Sequence, residues 1–262
     1  MPRNAKARRV LETLPVITDP WFYAVAVPAV LLVGLAKSGF AMGFGALATP
    51  MLALTVPVPQ AVAVMLPLLM VMDATGLQQL WRSRDPALVR RLVPFGLLGT
   101  LLGALLFGVL PARAVSALLG VLTLGFLTQR LLFAPRATGA RPPRWVGSAC
   151  ATASGFTSFI AHAGGPPLGA YMLSLRLPPP VLSGTMAVFF ATINASKWLP
   201  YSVLGLIDLR NLLTAALLVP LAPLGVWAGV WLTARVRSDW FYRLAYAGML
   251  LTGLKLLWDG VR

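Results

Sequence analysis

Ser154-Gly155-Phe156-Thr157-Ser158-Phe159-Ile160-Ala161-His162-Ala163-Gly164-Gly165-Pro166-Pro167 lies without a formal charge inside residues 145–175, an apolar stretch longer than the roughly 20 residues a spanning helix needs. Its end cannot continue a regular helix. Proline lacks the backbone donor and its ring clashes with the preceding turn, and two glycines leave the chain unshielded just before two prolines. Backbone groups freed at membrane depth must face protein or a watery cavity, because lipid cannot satisfy them. The stretch therefore predicts a helix broken in the bilayer. A helix restarting after the break would aim N–H groups into the opening, an arrangement that favours anions.

A second segment has the same character: Lys37-Ser38-Gly39-Phe40-Ala41-Met42-Gly43-Phe44-Gly45-Ala46-Leu47-Ala48-Thr49-Pro50 interrupts the apolar run 21–54. Around the two interruptions the chain is 58% hydrophobic and 11% charged over 262 residues, which excludes a soluble domain of ordinary composition. Eight spans are expected, at 21–54, 60–81, 92–110, 115–133, 145–175, 181–204, 211–234 and 240–258, leaving no room for a soluble domain. The basic N-terminal tail precedes an uncleaved first span. The net charge of +15 falls mainly in clusters between apolar runs, the pattern of membrane topology rather than of nucleic-acid binding. With eight crossings, fifteen Lys and Arg fall on the side of the N-terminus and five on the other, so both termini are expected in the cytoplasm.

The second half repeats the first. Gly39, Phe40, Pro50 and Leu52 recur as Gly155, Phe156, Pro166 and Leu168; Pro57, Pro59 and Met65 as Pro178, Pro180 and Met186; Pro94, Gly99 and Gly103 as Pro220, Gly225 and Gly229. The organisation that follows is a cytoplasmic tail at 1–20, a four-span repeat at 21–133, a basic cytoplasmic linker at 134–144 and a second four-span repeat at 145–262. The fold class is an all-α polytopic membrane protein with the first helix of each repeat broken. Four spans per half make the repeats parallel. If the interrupted element crosses once more or once less, they become inverted. Interrupted helices in corresponding repeat positions point to a transporter binding site. The alternative use of these glycines is close helix packing.

Ionisable groups inside apolar runs cost about 2.5–3.5 kcal/mol at mid-bilayer and mark function or pairing. Lys37 and Lys197 are candidates for positive charge in an anion path, or for lysines reaching to the headgroups. Asp73, equivalent to Asn194 by the repeat, is expected to pair with Lys37 or to bind a coupling proton. His162 follows Ser158 by four residues, one helical turn, and can contact ligand or a neighbouring carbonyl. An intramembrane hydrolase would need an activated nucleophile, yet no Gly-x-Ser-x-Gly elbow occurs, so an enzyme is not expected. One histidine and one cysteine, Cys150, cannot build the usual zinc site, and no cofactor is implied.

The residues from Gly155 to Pro167, followed by Gly184, Thr185, Phe189, Phe190, Asn194, Lys197, Pro200 and Tyr201, resemble the TauE/SafE sulfite exporter family over nearly the whole chain. In the first half Gly43 and Gly45 are separated by Phe44, a departure from the commoner run of consecutive glycines. The resemblance implies a bacterial inner-membrane permease for small sulfur-containing anions such as sulfite, sulfoacetate or related organosulfonates, working as an exporter. The alternatives are a permease for another small organic anion and a passive anion channel. The candidate substrate-binding residues are Lys37, Ser38, Gly39, Gly43, Gly45, Thr49, Ser158, His162, Gly164, Gly165, Asn194 and Lys197. The partners implied are a small anionic substrate and the lipid bilayer, with no nucleic acid; a homo-oligomer is compatible with the reading.

Overall fold

The computed structural model describes residues 16–37, 45–132, 142–233 and 238–262, and the regular structure among them is entirely helical. In chain order the helices are α1 (Pro20–Lys37), α2 (Gly45–Leu52), α3 (Val58–Leu80), α4 (Pro86–Val109), α5 (Ala112–Leu132), α6 (Arg144–Ala161), α7 (Gly165–Ser174), α8 (Pro179–Ser196), α9 (Trp198–Val203), α10 (Leu209–Leu218), α11 (Leu221–Thr233) and α12 (Ser238–Val261). A 3₁₀ turn, Trp81–Ser83, follows α3. Local chemistry sets several of the starts. Asp85 accepts from the N–H groups of Ala87 and Leu88 and precedes Pro86, so α4 begins on a side-chain cap with proline in its first turn. Asp208 caps α10 through the Asn211 N–H at 2.6 Å.

Among the described residues, four stretches are each long and apolar enough to cross a membrane: Pro20–Lys37, Val58–Ser83, Pro86–Val109 and Ala112–Gln129. The bent pair Leu209–Leu218 and Leu221–Ala228, turning by 42°, makes a fifth if it is one span. Many of the large apolar side chains left uncovered, such as Leu101, Leu105, Val109, Leu217 and Leu251, lie on these helices and on α12. That surface suits lipid and would be a liability in water.

Both interrupted segments break where the sequence interrupts them, at residues 162–164 in the second half and between Lys37 and Gly45 in the first. The expectation that each is one interrupted crossing is corrected: each leaves the bundle at the end where it entered. In the second half, one guanidinium nitrogen of Arg91 donates to the Arg144 carbonyl at the start of α6, at 2.8 Å, and to the Tyr171 hydroxyl near the end of α7, at 2.9 Å. The Tyr171 ring also lies against Gly147 in the first turn of α6. Helix α8 then starts at this same end, where the Asp85 N–H bonds to the Thr185 hydroxyl at 2.9 Å. In the first half, the Ile17 N–H bonds to the Thr214 hydroxyl and the Gln60 amide to the Asn211 side chain, so the approach to α1 and the start of α3 both lie beside the start of α10. Phe22 of α1 and Leu52 of α2 share one buried cluster. In the second half Gly164, Gly165, Pro166 and Pro167 permit this turn because α6 cannot run on through them as regular helix. Among the described residues, α3, α4, α5, α8 with α9, α10 with α11, and α12 run from one end of the bundle to the other.

Helix pairing is reciprocal between the halves. α6 lies along α4 and α1 along α11, while α3 crosses α8 and α5 runs antiparallel to α12. Glycines make the two lateral contacts close. A Cβ on Gly155 would stand 1.9 Å from the Gly96 carbonyl oxygen, and one on Gly34 would stand 2.6 Å from the Gly225 carbonyl carbon. The packing role of glycine thus holds at Gly34, Gly96, Gly155 and Gly225.

Candidate functional site

Helix α6 ends at His162, which takes a left-handed conformation with φ 52°, unusual for any residue other than glycine. Its N–H bonds to the Ser158 carbonyl at 3.0 Å. The loop that follows is tied back by polar side chains of the same helix. Thr157 donates to the Ala163 carbonyl at 3.0 Å and Ser154 to the Gly164 carbonyl at 2.7 Å. The backbone freed by the break is therefore satisfied internally, and the His162 side chain turns toward α3 and α8.

From this end a polar chain runs through the middle of the bundle. The Lys197 ammonium donates to the Ser158 carbonyl at 2.7 Å, the Ser158 hydroxyl at 2.8 Å and the Asn194 side-chain oxygen at 2.8 Å, and meets His162 Nδ1 at 3.1 Å. His162 Nε2 lies 2.9 Å from the Val62 carbonyl. A carbonyl only accepts, so Nε2 carries the ring hydrogen and Nδ1 is left to accept from Lys197. The Asn194 amide donates to one Asp73 oxygen at 2.6 Å, and Lys37 pairs with the other. The expected Lys37–Asp73 ion pair is present. Of the two lysines only Lys37 touches the carboxylate; Lys197 is linked to it through Asn194, and Lys197 and Asp73 are buried at 0% and 3% exposure.

Beside this chain is a cavity of about 300 Å³. Its polar wall holds Lys37, Asp73, Ser158, His162 and Asn194, extended by Thr75 and Gln79 on α3 and Ser183 on α8. Its apolar wall includes Val33, Leu69, Met72, Met186 and Phe190. Gly45 at the start of α2 and Gly165 at the start of α7 also line it, so both helix restarts open onto one space. Pro166 and Pro167 have no N–H, so the first turn of α7 offers fewer donors than a helix start usually does. The first turn of α2 contains no proline and keeps its donors.

Of the candidate residues, Lys37, Gly45, Ser158, His162, Gly165 and Asn194 meet at the cavity. Lys197 stands behind its wall and reaches it through Ser158, Asn194 and His162. Gly164 is packed: a Cβ there would lie 2.7 Å from the Ser154 carbonyl oxygen and 2.8 Å from the Phe190 ring. Thr49 is buried with no hydrogen-bond partner for its hydroxyl and does not line the cavity. Ser38, Gly39 and Gly43 lie outside the described residues. Sequence reading missed Thr75, Gln79 and Ser183. The first two share a face of α3 at a four-residue spacing, a signal hidden among the helix's leucines, valines and methionines.

A multi-pass helical membrane protein with an internal cavity walled in part by a Lys–Asp pair and neutral polar side chains is the class these features define. Residues 26–256 match the family model described as Sulfite exporter TauE/SafE, and the chain belongs to that family. Its members are transporters rather than enzymes. No curated protein and no solved structure matches the chain.

Proposed function

We propose that the protein is a permease that exports a small sulfur-containing anion, sulfite or an organosulfonate, across the bacterial inner membrane, with the cavity beside Lys37 as its binding site. The observation that carries this reading is the placement of charge at the cavity: Lys37 in its wall and Lys197 buried just behind it, with Asp73 the single carboxylate beside them and neutral donors from Ser158 and Asn194 at hand. An isolated anion in a low-dielectric interior needs such donors and positive charge, whereas a cation or an uncharged solute would leave the excess unanswered. The apolar wall favours an organic sulfonate over a bare oxyanion, since about 300 Å³ exceeds what one oxyanion fills.

The reading includes an inverted repeat. At a single offset of 121 residues, Gly34 corresponds to Gly155, Lys37 to Ser158, Pro57 to Pro178, Asp73 to Asn194 and Gly76 to Lys197. Reciprocal pairing of α1 with α11 and of α6 with α4 supports this register over the one that sets Gly39 against Gly155. Each half then has one hairpin and three crossings, an odd number that inverts the second half. The two helix restarts at Gly45 and Gly165, which line one cavity, would provide a site from which one half can rock against the other.

Purified protein in liposomes, offered labelled sulfite, thiosulfate, sulfoacetate, taurine and acetate in turn, tests the assignment. Saturable uptake of sulfite or sulfoacetate, with acetate excluded, is expected. Flux linear in concentration would indicate a channel, and uptake of acetate alone would reassign the substrate to carboxylates.

A further inference from the structure

Lys197 is fully buried, and its ammonium bonds to Ser158, Asn194 and His162, with no carboxylate among its partners in the described residues. Asp73 is committed to Lys37 and to the Asn194 amide. The cluster thus carries one positive charge too many for a closed interior.

We propose that the carrier moves one proton with each anion and that Lys197 holds that proton; this rests on the anion-carrier reading above. With an anion in the cavity and Lys197 protonated, the cluster and its ligand sum to zero charge. With the cavity empty, the same sum is reached only when Lys197 releases its proton. Both the loaded and the empty protein are then neutral at the centre, and neither has to carry an unpaired charge through low dielectric as the site changes sides. An anion binding without the proton, or the reverse, would leave a buried charge unanswered.

The route for the proton is short. A Lys197 N–H bond breaks to leave a neutral amine as its proton passes to Ser158 Oγ, 2.8 Å away, whose own hydrogen leaves toward the cavity in the same step, or to His162 Nδ1, 3.1 Å away, which becomes imidazolium until it gives that proton up. Both acceptors line the cavity and can pass a proton to water there. His162 suits the task because its Nε2–H is held by the Val62 carbonyl, which leaves Nδ1 as the acceptor. The titratable groups facing Lys197 among the described residues are Asp73 and Lys37, from α3 and α1, His162 from α6 and Tyr201 from α9. Tyr201 donates to the Phe159 carbonyl at 2.8 Å and stands outside the relay.

The test uses the full-length protein in liposomes that contain a pH-reporting dye, with labelled methanesulfonate as the probe. This anion stays ionised throughout the working range, so any proton that accompanies it is carried by the protein. The expected result is entry of a proton with every anion, at a rate insensitive to a potassium–valinomycin potential. Anion entry driven by that potential, with no internal acidification, overturns the proposal and leaves the anion carrier standing. Absence of methanesulfonate flux also overturns it, and labelled sulfite run in parallel shows whether the anion reading falls as well. In folded Lys197→Gln protein, proton movement is expected to vanish and anion flux to fall by about tenfold or more, the scale of one lost charged hydrogen bond. A Lys197→Gln carrier that still moves a proton with each anion would remove Lys197 from the role. If that variant does not fold, the proton-to-anion ratio of the natural sequence decides alone.

Discussion

Lys37 and Lys197 look alike in the sequence, each a lone cation in an apolar run, but their surroundings differ. Lys37 lines the cavity and is 22% exposed, while Lys197 is sealed behind it. Lys37→Met is therefore expected to weaken anion affinity directly, by about 10- to 100-fold for a charged hydrogen bond of roughly 1.5–3 kcal/mol. The measurement is the shift in melting temperature against sulfite concentration, and an unchanged dose dependence would place the anion elsewhere. Asp73→Asn leaves Lys37 without its carboxylate and Asn194 without an ionised acceptor. It is expected to destabilise the ligand-free protein by about 1–3 kcal/mol, the partial exposure of Lys37 keeping the loss below that of a sealed pair. Adjacent glycines divide in the same way. Gly164 fills a space bounded by Ser154 and Phe190, so Gly164→Val is an overpacking change that should lower stability by about 1–3 kcal/mol or prevent folding. A Gly164→Val protein as stable as the natural one would show that this space is not closed.

At the scale of elements, the two helix breaks were legible because glycine and proline act locally and each break needs nothing beyond the residues that make it. The direction of the chain after the break was not. Whether α7 continues the course of α6 or turns back is decided by Arg91, more than fifty positions away, which bonds at once to the Arg144 carbonyl and the Tyr171 hydroxyl. No local pattern announces such a contact. The repeat register suffered likewise: Gly39 matches Gly155 in the neighbouring Phe, but Gly155 is a packing residue against Gly96, a role that Gly34 fills in the first half. The hairpin has a direct test. In protein with Cys150 replaced by serine, single cysteines at Trp145 and at Leu173 should react with a membrane-impermeant thiol reagent from the same side. Reaction from opposite sides would restore α6 and α7 as one crossing. Gly155→Ala should cost about 1–3 kcal/mol or more, because its Cβ would overlap the Gly96 carbonyl.

For the molecule as a whole, the hairpins change the charge count. Residue 17 and Arg262 lie at one end of the bundle, near Gln60, Arg113 and Asn211. Among the described residues the other end holds Arg82, Arg84, Arg90, Arg91, Arg144 and Arg176, against Arg113, Arg210, Lys255 and Arg262 at the first. That excess is expected to set the end with Arg82–Arg91 in the cytoplasm and the end with residue 17 and Arg262 outside, the reverse of the orientation that eight crossings imply. An alkaline phosphatase fusion after Arg262 should be active in the periplasm; activity only from a cytoplasmic reporter would restore the other orientation.

The central claim is that the space between the two helix restarts is where the anion sits. Gly165 lines that space, and among the described residues no atom beyond its chain neighbours and its own helix backbone lies within 4 Å of where its Cβ would be, so a side chain there displaces none of them. Valine is also a slightly better helix former than glycine, by a few tenths of a kcal/mol, so the change carries no helix-propensity cost. The most direct measurement is labelled sulfite uptake by liposomes containing Gly165→Val protein matched for amount and melting temperature to the natural sequence. The account predicts a ligand-free melting temperature close to that of the natural protein and loss of saturable sulfite uptake, because valine occupies the space of the anion. Natural rates of uptake by equally stable Gly165→Val protein would contradict it.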